Sequence, residues 1–251
     1  DVLIQAEKMI QTLKDIAGKE TVKVSDKDAF LAALANENVG TIEVDAKITI
    51  GGYNNVFSQD WSGQWQSVSH DVVIRGVDTD AQLERVGLVV ENNATLILDD
   101  MWLYANHRDS SSRGEPLNCV EVKQGNLYVN GNTRIEQGTN GSCDCDTTHG
   151  LGTNKQHGHA IALTGTGNVY INTTGNITGK YEAVYSSTDT ESNVVIQNGN
   201  FSSAGGDAVI ACQYDLEING GTINSSSNDY PLVIGGTAYM TGGTVGNNGS
   251  G

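Results

Sequence analysis

Histidine and cysteine side chains, which bind metal ions and form disulfides, are concentrated in one stretch of this 251-residue chain. Four of the five His and three of the four Cys residues lie there: His107, His149, His157, His159, Cys119, Cys143 and Cys145. Thiolates and imidazoles are the ligands that zinc prefers. The candidate metal ligands are therefore Cys143, Cys145, His149, His157 and His159. Their Cys-x-Cys spacing is tighter than in standard zinc modules, so the pattern is a weak zinc signal.

A disulfide is the alternative use of the same cysteines, and it is the favoured one for an extracellular chain. Cys119 begins an apolar segment, and Cys143 or Cys145 follows in a long polar stretch. We expect Cys119 to bond to one of these two residues and so to fasten that stretch to the scaffold. Cys212 is left over, either unpaired or paired between molecules.

Aromatic side chains form a second candidate ligand-binding set. Tyr53, Trp61 and Trp65 lie in one polar segment, and rings of this kind stack on sugars while Asn and Gln bind the hydroxyls. The alternative is that these rings fold the segment down onto the scaffold. Tyr128 and Tyr170 occupy equivalent positions in two copies of a repeat, where they form either a flat stacking platform or a stabilising ladder.

The residues of a polysaccharide-cleaving enzyme are harder to find. Asp99-Asp100 and His157-Gly158-His159 are far apart in the sequence. A lyase would need a basic residue beside several carboxylates around Ca²⁺. The charged residues that could converge in this way are Arg108, Asp109, Arg113, Glu115 and Arg134. No motif supports that arrangement, so His107, Arg108 and Arg113 remain candidate ligand-binding residues and no catalytic residue is assigned. Ca²⁺ or Zn²⁺ are the only cofactors suggested.

The scaffold that must position these residues is a repeat. Six segments share one pattern of alternating apolar residues followed by Asn-, Gly- and Thr-rich corners: LILDDMWL (96–103), LYVNGNTRI (127–135), VYINTTGNI (169–177), VVIQNGNF (194–201), LEINGGTI (216–223) and AYMTGGTV (238–245). Their spacing settles near 22 residues, and a period of this length indicates stacked supersecondary units. Alternation with period two indicates strands. The sequence therefore predicts a β-solenoid.

Aligning the copies predicts which side chains stack in columns. The inward columns are Leu88, Val120, Ile161, Val184, Val209 and Leu232; Leu96, Leu127, Val169, Val194, Leu216 and Ala238; and Leu98, Val129, Ile171, Ile196, Ile218 and Met240. A polar corner column comes next along each repeat: Asp99, Asn130, Asn172, Gln197, Asn219 and Thr241. Stacked side-chain amides at such corners are primarily structural.

The N-terminal residues show helical rather than strand periodicity. Residues 1–17 carry an apolar helical stripe, and residues 25–36 form a second helix with Ser25 as N-cap. We interpret residues 1–37 as a helical cap and residues 38–251 as the solenoid. Insertions at 51–69, 104–118 and 136–158 are expected to leave the solenoid along one edge, where function commonly concentrates.

The segments SDKDAFLAALANENVGTIEVDAKITI, HDVVIRGVD and NNATLILDDMWL resemble the pectate-lyase-like superfamily. The resemblance covers most of the chain. It implies an all-β fold, a single-stranded right-handed parallel β-helix with an N-terminal α-helical cap. That superfamily includes lyases, glycoside hydrolases, phage spikes, autotransporters and adhesins, so the resemblance specifies the fold better than the activity.

Charge and hydropathy limit the partners. The formal net charge of −16 repels phosphate backbones, so nucleic acid is not an expected partner. No apolar run is long enough for a transmembrane helix. The N-terminal Asp1 suggests a processed chain, and the uncapped segment 241–251 suggests either continuation beyond Gly251 or end-to-end docking of identical subunits.

Together these features predict a secreted or cell-surface, non-catalytic β-solenoid. Its expected roles are adhesion, recognition of a glycan or another surface ligand, or extracellular fibre assembly. The alternative is a polysaccharide-degrading enzyme, either a pectate-lyase-like lyase or a glycoside hydrolase. A cleft with converging carboxylates and a basic or cation-binding floor would favour the enzyme.

Overall fold

A computed structural model describes residues 2–51, 65–105, 118–137, 158–186, 192–203, 208–225 and 230–247. It is an all-β structure with a large parallel sheet curled into a half-barrel. Among these residues no helix is long and apolar enough to cross a membrane.

The chain forms two helices and a succession of short strands. The helices are α1 (Val2–Ala17) and α2 (Lys27–Leu34). The strands are β1 (Glu20–Val24), β2 (Val39–Val44), β3 (Lys47–Thr49), β4 (Trp65–Val68), β5 (Val72–Gly76), β6 (Gln82–Glu84), β7 (Gly87–Val90), β8 (Ala94–Asp99), β9 (Trp102–Ala105), β10 (Val120–Gly131), β11 (Arg134–Gln137), β12 (Ile161–Gly179), β13 (Val184–Ser186), β14 (Asn193–Ser203), β15 (Ala208–Cys212), β16 (Asp215–Ile218), β17 (Thr222–Ser225), β18 (Tyr230–Ile234), β19 (Ala238–Met240) and β20 (Thr244–Asn247).

These strands pair in three parallel runs. The first run is β4–β7–β10–β12–β13–β15–β18. The second run is β1–β2–β5–β8–β10–β12–β14–β16–β19. The third run is β3–β6–β9–β11–β12–β14–β17–β20. Strands β10 and β14 are long enough to take part in two runs each, and the longer β12 takes part in all three.

The core is built from aliphatic columns along the second run. Strand pairing places Leu96, Leu127, Val169, Val194, Leu216 and Ala238 in one register. Two residues further along each strand, it places in a second register Leu98, Val129, Ile171, Ile196, Ile218 and Met240. Both predicted columns are therefore confirmed. They are buried in one continuous hydrophobic core as far as β16.

Two other columns differ from the prediction by one residue. In the first run Val184 and Leu232 align with Ile210, not with Val209, although Val209 is also buried. In the corner column Asn172 aligns with Asn198, not with Gln197, because the register shifts there. A bulge or similar irregularity adds a residue to one strand and so shifts the pairing of the residues after it.

The N-terminal segment divides into two parts that pack in different places. Helix α2 contributes Phe30, Ala33 and Leu34 to the main core and contacts β1 and β2. Its N-cap is Asp26, whose side chain accepts a hydrogen bond from Ala29 N, so the expected cap at Ser25 is wrong by one residue. Helix α1 does not join that core.

Helix α1 packs instead on the outer face of the second run. Ile16 is buried against Val73 and Ile97, and Met9 and Tyr128 pack at the edge of this small cluster. Val73 and Ile97 are paired neighbours whose flanking residues point into the main core. Period-two alternation therefore places this pair on the opposite face, and α1 covers it.

The segments that flank the three expected insertions are in register. Strands β3, β9 and β11 of the third run precede residues 52–64, 106–117 and 138–157, which lie outside the described residues. Strands β4, β10 and β12 of the first run are the next strands along the chain after them. Ala105 pairs with Gln137, so the last two departures are neighbours. The course of the insertions stays a prediction. The division of the chain into a cap and a solenoid at residue 37 also stays a prediction.

Candidate functional site

A cleft of about 690 Å³ lies between α1 and the outer face of the second run. We call it the α1 cleft. One wall is formed by α1 residues from Lys8 to Asp15, and the other by outward side chains of β10 and β12, including Tyr128 and Tyr170. A volume of this size falls within the range of small-molecule sites.

The two tyrosines stack on one another. Tyr128 and Tyr170 are register partners, with ring centroids 4.7 Å apart and ring planes inclined by 11°. One face of each ring is thus covered by the other ring. Of the two arrangements left open by the sequence, the structure shows the ladder and not the flat platform. At most one face of each ring is therefore left open for a ligand to stack on.

Burial makes both tyrosines harder to ionise than an exposed tyrosine. Burial raises the pKa of Tyr128 to about 12, and the neighbouring Tyr170 adds to the shift. Burial also raises the pKa of Tyr170, with a smaller contribution from the negative charge of Glu217. Both hydroxyls therefore remain hydrogen-bond donors over the whole physiological pH range.

A ladder of side-chain amides runs beside the tyrosines. Asn168 Nδ2 donates to Asn126 Oδ1 over 2.9 Å, and Asn193 Nδ2 donates to Asn168 Oδ1 over 3.1 Å. Each amide has two donor hydrogens and an oxygen with two lone pairs. The ladder uses only part of that capacity, so these amides are suited to binding hydroxyl groups.

The floor of the cleft depends on two stacked glycines. Gly125 and Gly167 are register partners, and both line the cleft. A Cβ at Gly125 would collide with Ala94 O, and this residue also has a φ of +142°, which favours glycine. A Cβ at Gly167 would lie 2.5 Å from Gly125 O. The glycines therefore let successive strands approach closely at the start of the amide ladder.

The charges at the cleft are few and mixed. Lys8 contributes one positive charge, whereas Asp15 and Asp71 contribute two negative charges. Asp71 Oδ1 accepts a hydrogen bond from Thr95 N over 2.7 Å, and Asp15 Oδ1 accepts one from Gln11 Nε2 over 2.7 Å. Both carboxylates are thus partnered. The cleft does not form the positive surface that a polyanion requires.

Several predicted ligand-binding residues lie outside the described part of the chain. These are Tyr53, Trp61, His107, Arg108 and Arg113. Trp65 is described and is half-buried, with its ring packed against the main core. For this ring the structure agrees with packing onto the scaffold rather than with an open binding face.

The cysteines that the structure describes are free thiols. Cys119 and Cys212 are both buried. Cys119 Sγ donates a hydrogen bond to Glu136 O over 3.2 Å. Burial raises the pKa of both thiols, that of Cys212 to about 12. The expected disulfide of Cys119 is therefore not supported, and its proposed partners Cys143 and Cys145 lie outside the described residues.

The single described member of the proposed metal set has a different partner. His159 is buried, and its Nδ1 lies 2.8 Å from Oε2 of the buried Glu182. Its ring stacks on Tyr185 with centroids 4.3 Å apart, and its backbone N donates to Asn118 Oδ1. His149 and His157 lie outside the described residues. Within the described ranges no group of three His, Cys, Asp or Glu side chains is placed to hold a metal ion.

The structure also describes one of the residues considered for a lyase. The Arg134 guanidinium lies over the Trp102 ring, with Cζ 5.7 Å from the ring centroid. Arg134 and Trp102 are register partners in the third run. This cation–π contact gives Arg134 a packing role in the sheet. Asp109 and Glu115 lie outside the described residues.

The α1 cleft contains residues that the sequence analysis missed. Tyr128 and Tyr170 were predicted as a pair, but Asn126 and Asn168, two positions earlier in each repeat, were not. Their identical offset from the tyrosines was a usable signal, since side chains two apart on a strand share a face. No comparable pattern in the sequence indicated that the α1 residues from Lys8 to Asp15 form the other wall of the cleft.

Comparison with known proteins adds no family to these observations. No protein-family model matches the sequence, and no curated protein matches it.

Proposed function

We propose that this chain is a right-handed parallel β-helix, a β-solenoid, that acts outside the cell without catalysis by binding a glycan. The three parallel runs support the fold, because from β4 onward strands of the first, second and third runs succeed one another in sequence. The six repeats near a 22-residue period support it independently. The low content of basic residues and the resemblance of several segments to pectate-lyase-like proteins are consistent with it.

The α1 cleft is the proposed glycan site, and the observation that carries this proposal is its wall of aligned tyrosines and asparagines. Tyr128 and Tyr170 supply aromatic edges and hydroxyls, and Asn126 and Asn168 supply amide donors and acceptors. Sugars present hydroxyls beside apolar C–H surface, so they require this mixture of groups. An apolar ligand would leave the amides unpaired, which costs binding free energy.

The charges of the cleft favour a neutral glycan over a polyuronate. Asp15 and Asp71 outnumber Lys8, and the chain as a whole carries a net charge of −16. A polyuronate would bring further carboxylates into this field and would be repelled. The proposed ligand is therefore an uncharged oligosaccharide.

The carboxylates of the cleft fit binding better than hydrolysis. A glycoside hydrolase needs one carboxylic acid that stays protonated near neutral pH, which usually requires an apolar environment. Asp15 is exposed, and Asp71 is only partly buried and accepts a backbone N–H bond. The polysaccharide-degrading enzyme remains the second candidate on the resemblance alone.

The test is binding of neutral and acidic oligosaccharides, first on a glycan array and then by calorimetry. Tyr170→Ala should weaken binding of a neutral ligand by about tenfold, or about 1.4 kcal/mol. Tyr170→Phe should lose part of this binding free energy, because in the proposed complex the hydroxyl is one of the groups that face the ligand. Tyr239→Ala is the matched control, since Tyr239 lies in the same outward column and is 63% exposed outside the cleft.

Equal loss of affinity in the Tyr170 and Tyr239 variants would contradict the cleft as the site. Preferential binding of polyuronates would contradict the proposed ligand class. Reducing-sugar and ultraviolet-absorbance assays on the same samples address the enzyme. Release of reducing ends or of unsaturated sugars by the wild-type chain would replace the binding proposal with the catalytic one.

A further inference from the structure

Helix α1 has two apolar faces, and only one of them is used by the sheet. Met9 and Ile16 pack on the outer face of the second run. Ile10 and Leu13 belong to the other face and are 52% and 44% exposed. Large aliphatic side chains exposed side by side on a helix commonly mark an interaction surface.

The exposed face has the spacing of a coiled-coil seam. Ile10, Leu13 and Ala17 succeed one another at intervals of three and four residues, and all three are exposed. Leu3 and Ala6 continue the same intervals in the sequence. Alternating steps of three and four are the a and d positions of a heptad, which pack against another helix. We call this face the α1 seam.

We propose that the α1 seam binds the α1 seam of a second copy of this chain in an antiparallel, two-fold symmetric dimer. The choice of partner rests on charge. With Ile10 and Ala17 at a positions and Leu13 at d, Glu7 and Lys14 occupy e positions, and both are exposed. In an antiparallel pair the e positions of the two helices face each other.

The seam is self-complementary in that arrangement. Ile10 packs against Leu13 of the partner subunit, and Glu7 then faces Lys14 of the partner subunit. The two-fold axis repeats both contacts, as an isologous interface requires. A parallel pairing would instead set e positions against g positions. The g residues Met9 and Ile16 are apolar and already pack on the sheet, so a parallel pair would lose both charge contacts.

The size of the seam limits the strength of the dimer. Helix α1 has 16 residues, which corresponds to a length of about 24 Å. A single helix pair of this length buries less than the roughly 1,200 Å² of stable specific complexes. We therefore expect a reversible dimer that forms at micromolar or higher chain concentrations.

One consequence depends on the proposed function. Lys8, Met9 and Thr12 line the α1 cleft, so each cleft would lie beside the dimer interface. Two clefts carried by one dimer would bind a multivalent glycan surface more tightly than one cleft does. The dimer itself does not depend on what the cleft binds.

The experiment is sedimentation equilibrium of the full chain over a series of concentrations at about 0.15 M salt, where charge interactions are still felt at short range. Leu13→Glu should abolish the dimer. Glu7→Lys or Lys14→Glu alone should weaken it by about tenfold, because each change replaces two attractive contacts with two repulsive ones. The double variant, with both changes, should restore the affinity to within about threefold, since it recreates the same pairs in reverse.

A matched control is Val233→Glu, which changes another exposed aliphatic residue in the edge strand β18. It should leave the dimer unchanged. Circular dichroism of each variant verifies that the fold is retained. A wild-type chain that is monomeric at high concentration would overturn the proposal. A dimer lost in Val233→Glu, or one not restored by the double variant, would overturn it as well.

Discussion

Replacing Ile196 by Ala should destabilise the protein by about 4 kcal/mol. Ile196 is fully buried, with Ile171 and Ile218 as its register partners on the two neighbouring strands. The substitution removes three carbon atoms, and at about 0.8 kcal/mol each the lost transfer free energy is about 2.4 kcal/mol. The cavity left behind adds about 24 cal/mol per Å³. Parallel hydrogen bonds hold both neighbouring strands in place, so we expect little collapse and a cost in the upper half of the usual range.

The same column contains its own control. Met240 is the register partner of Ile218 on the other side, and it is 49% exposed. Met240→Ala should cost less than about 1 kcal/mol, since little of the side chain leaves an apolar environment. The free energy of unfolding is measured by urea denaturation, with linear extrapolation to water. Equal costs for the Ile196 and Met240 variants would refute the register and the stacked column with it.

Three further predictions test local features. Asp26→Ala should cost about 1 kcal/mol of unfolding free energy and Ser25→Ala close to none, because only the Asp26 side chain caps α2. Cys119 and Cys212 should react with a thiol reagent at pH 8 only after denaturation, since burial removes access and raises both pKa values; rapid labelling of the native chain would contradict this. Tyr128 should ionise near pH 12 in the folded chain, whereas unfolded tyrosine ionises near 10. An ultraviolet titration of wild type against Tyr128→Phe measures this pKa. Because the pKa is raised in the folded chain, the free energy of unfolding should fall as the pH rises from about 10 towards 12.

Much of the core could be predicted because its signal is local. Leu127 and Val129 face inward and Tyr128 faces outward as a direct result of strand geometry, which alternates side chains with period two. The repeat then transfers this assignment to each later strand. The prediction fails by one residue at Val209, where two successive apolar side chains are both buried and alternation no longer distinguishes them.

The candidate site was predicted in part for the same reason. Tyr128 and Tyr170 occupy the same offset in two repeats, so their contact results from stacking in register. The choice between ladder and platform depends on side-chain torsions, which the spacing does not specify. The number of cysteines and the expected compartment predict a disulfide at Cys119, whereas in the structure its thiol is buried and hydrogen-bonded to Glu136 O.

The sequence by itself determined the strand periodicity, the inward columns of the second run and the helical character of residues 2–17. Each of these depends on residues close together in the chain or on the repeat. Only the tertiary structure decided where α1 lies, because its position depends on Ile16 meeting Val73 and Ile97, more than fifty residues away. An amphipathic stripe shows that a helix will be covered on one side but does not identify the surface that covers it. The α1 cleft and the α1 seam both result from that one long-range contact.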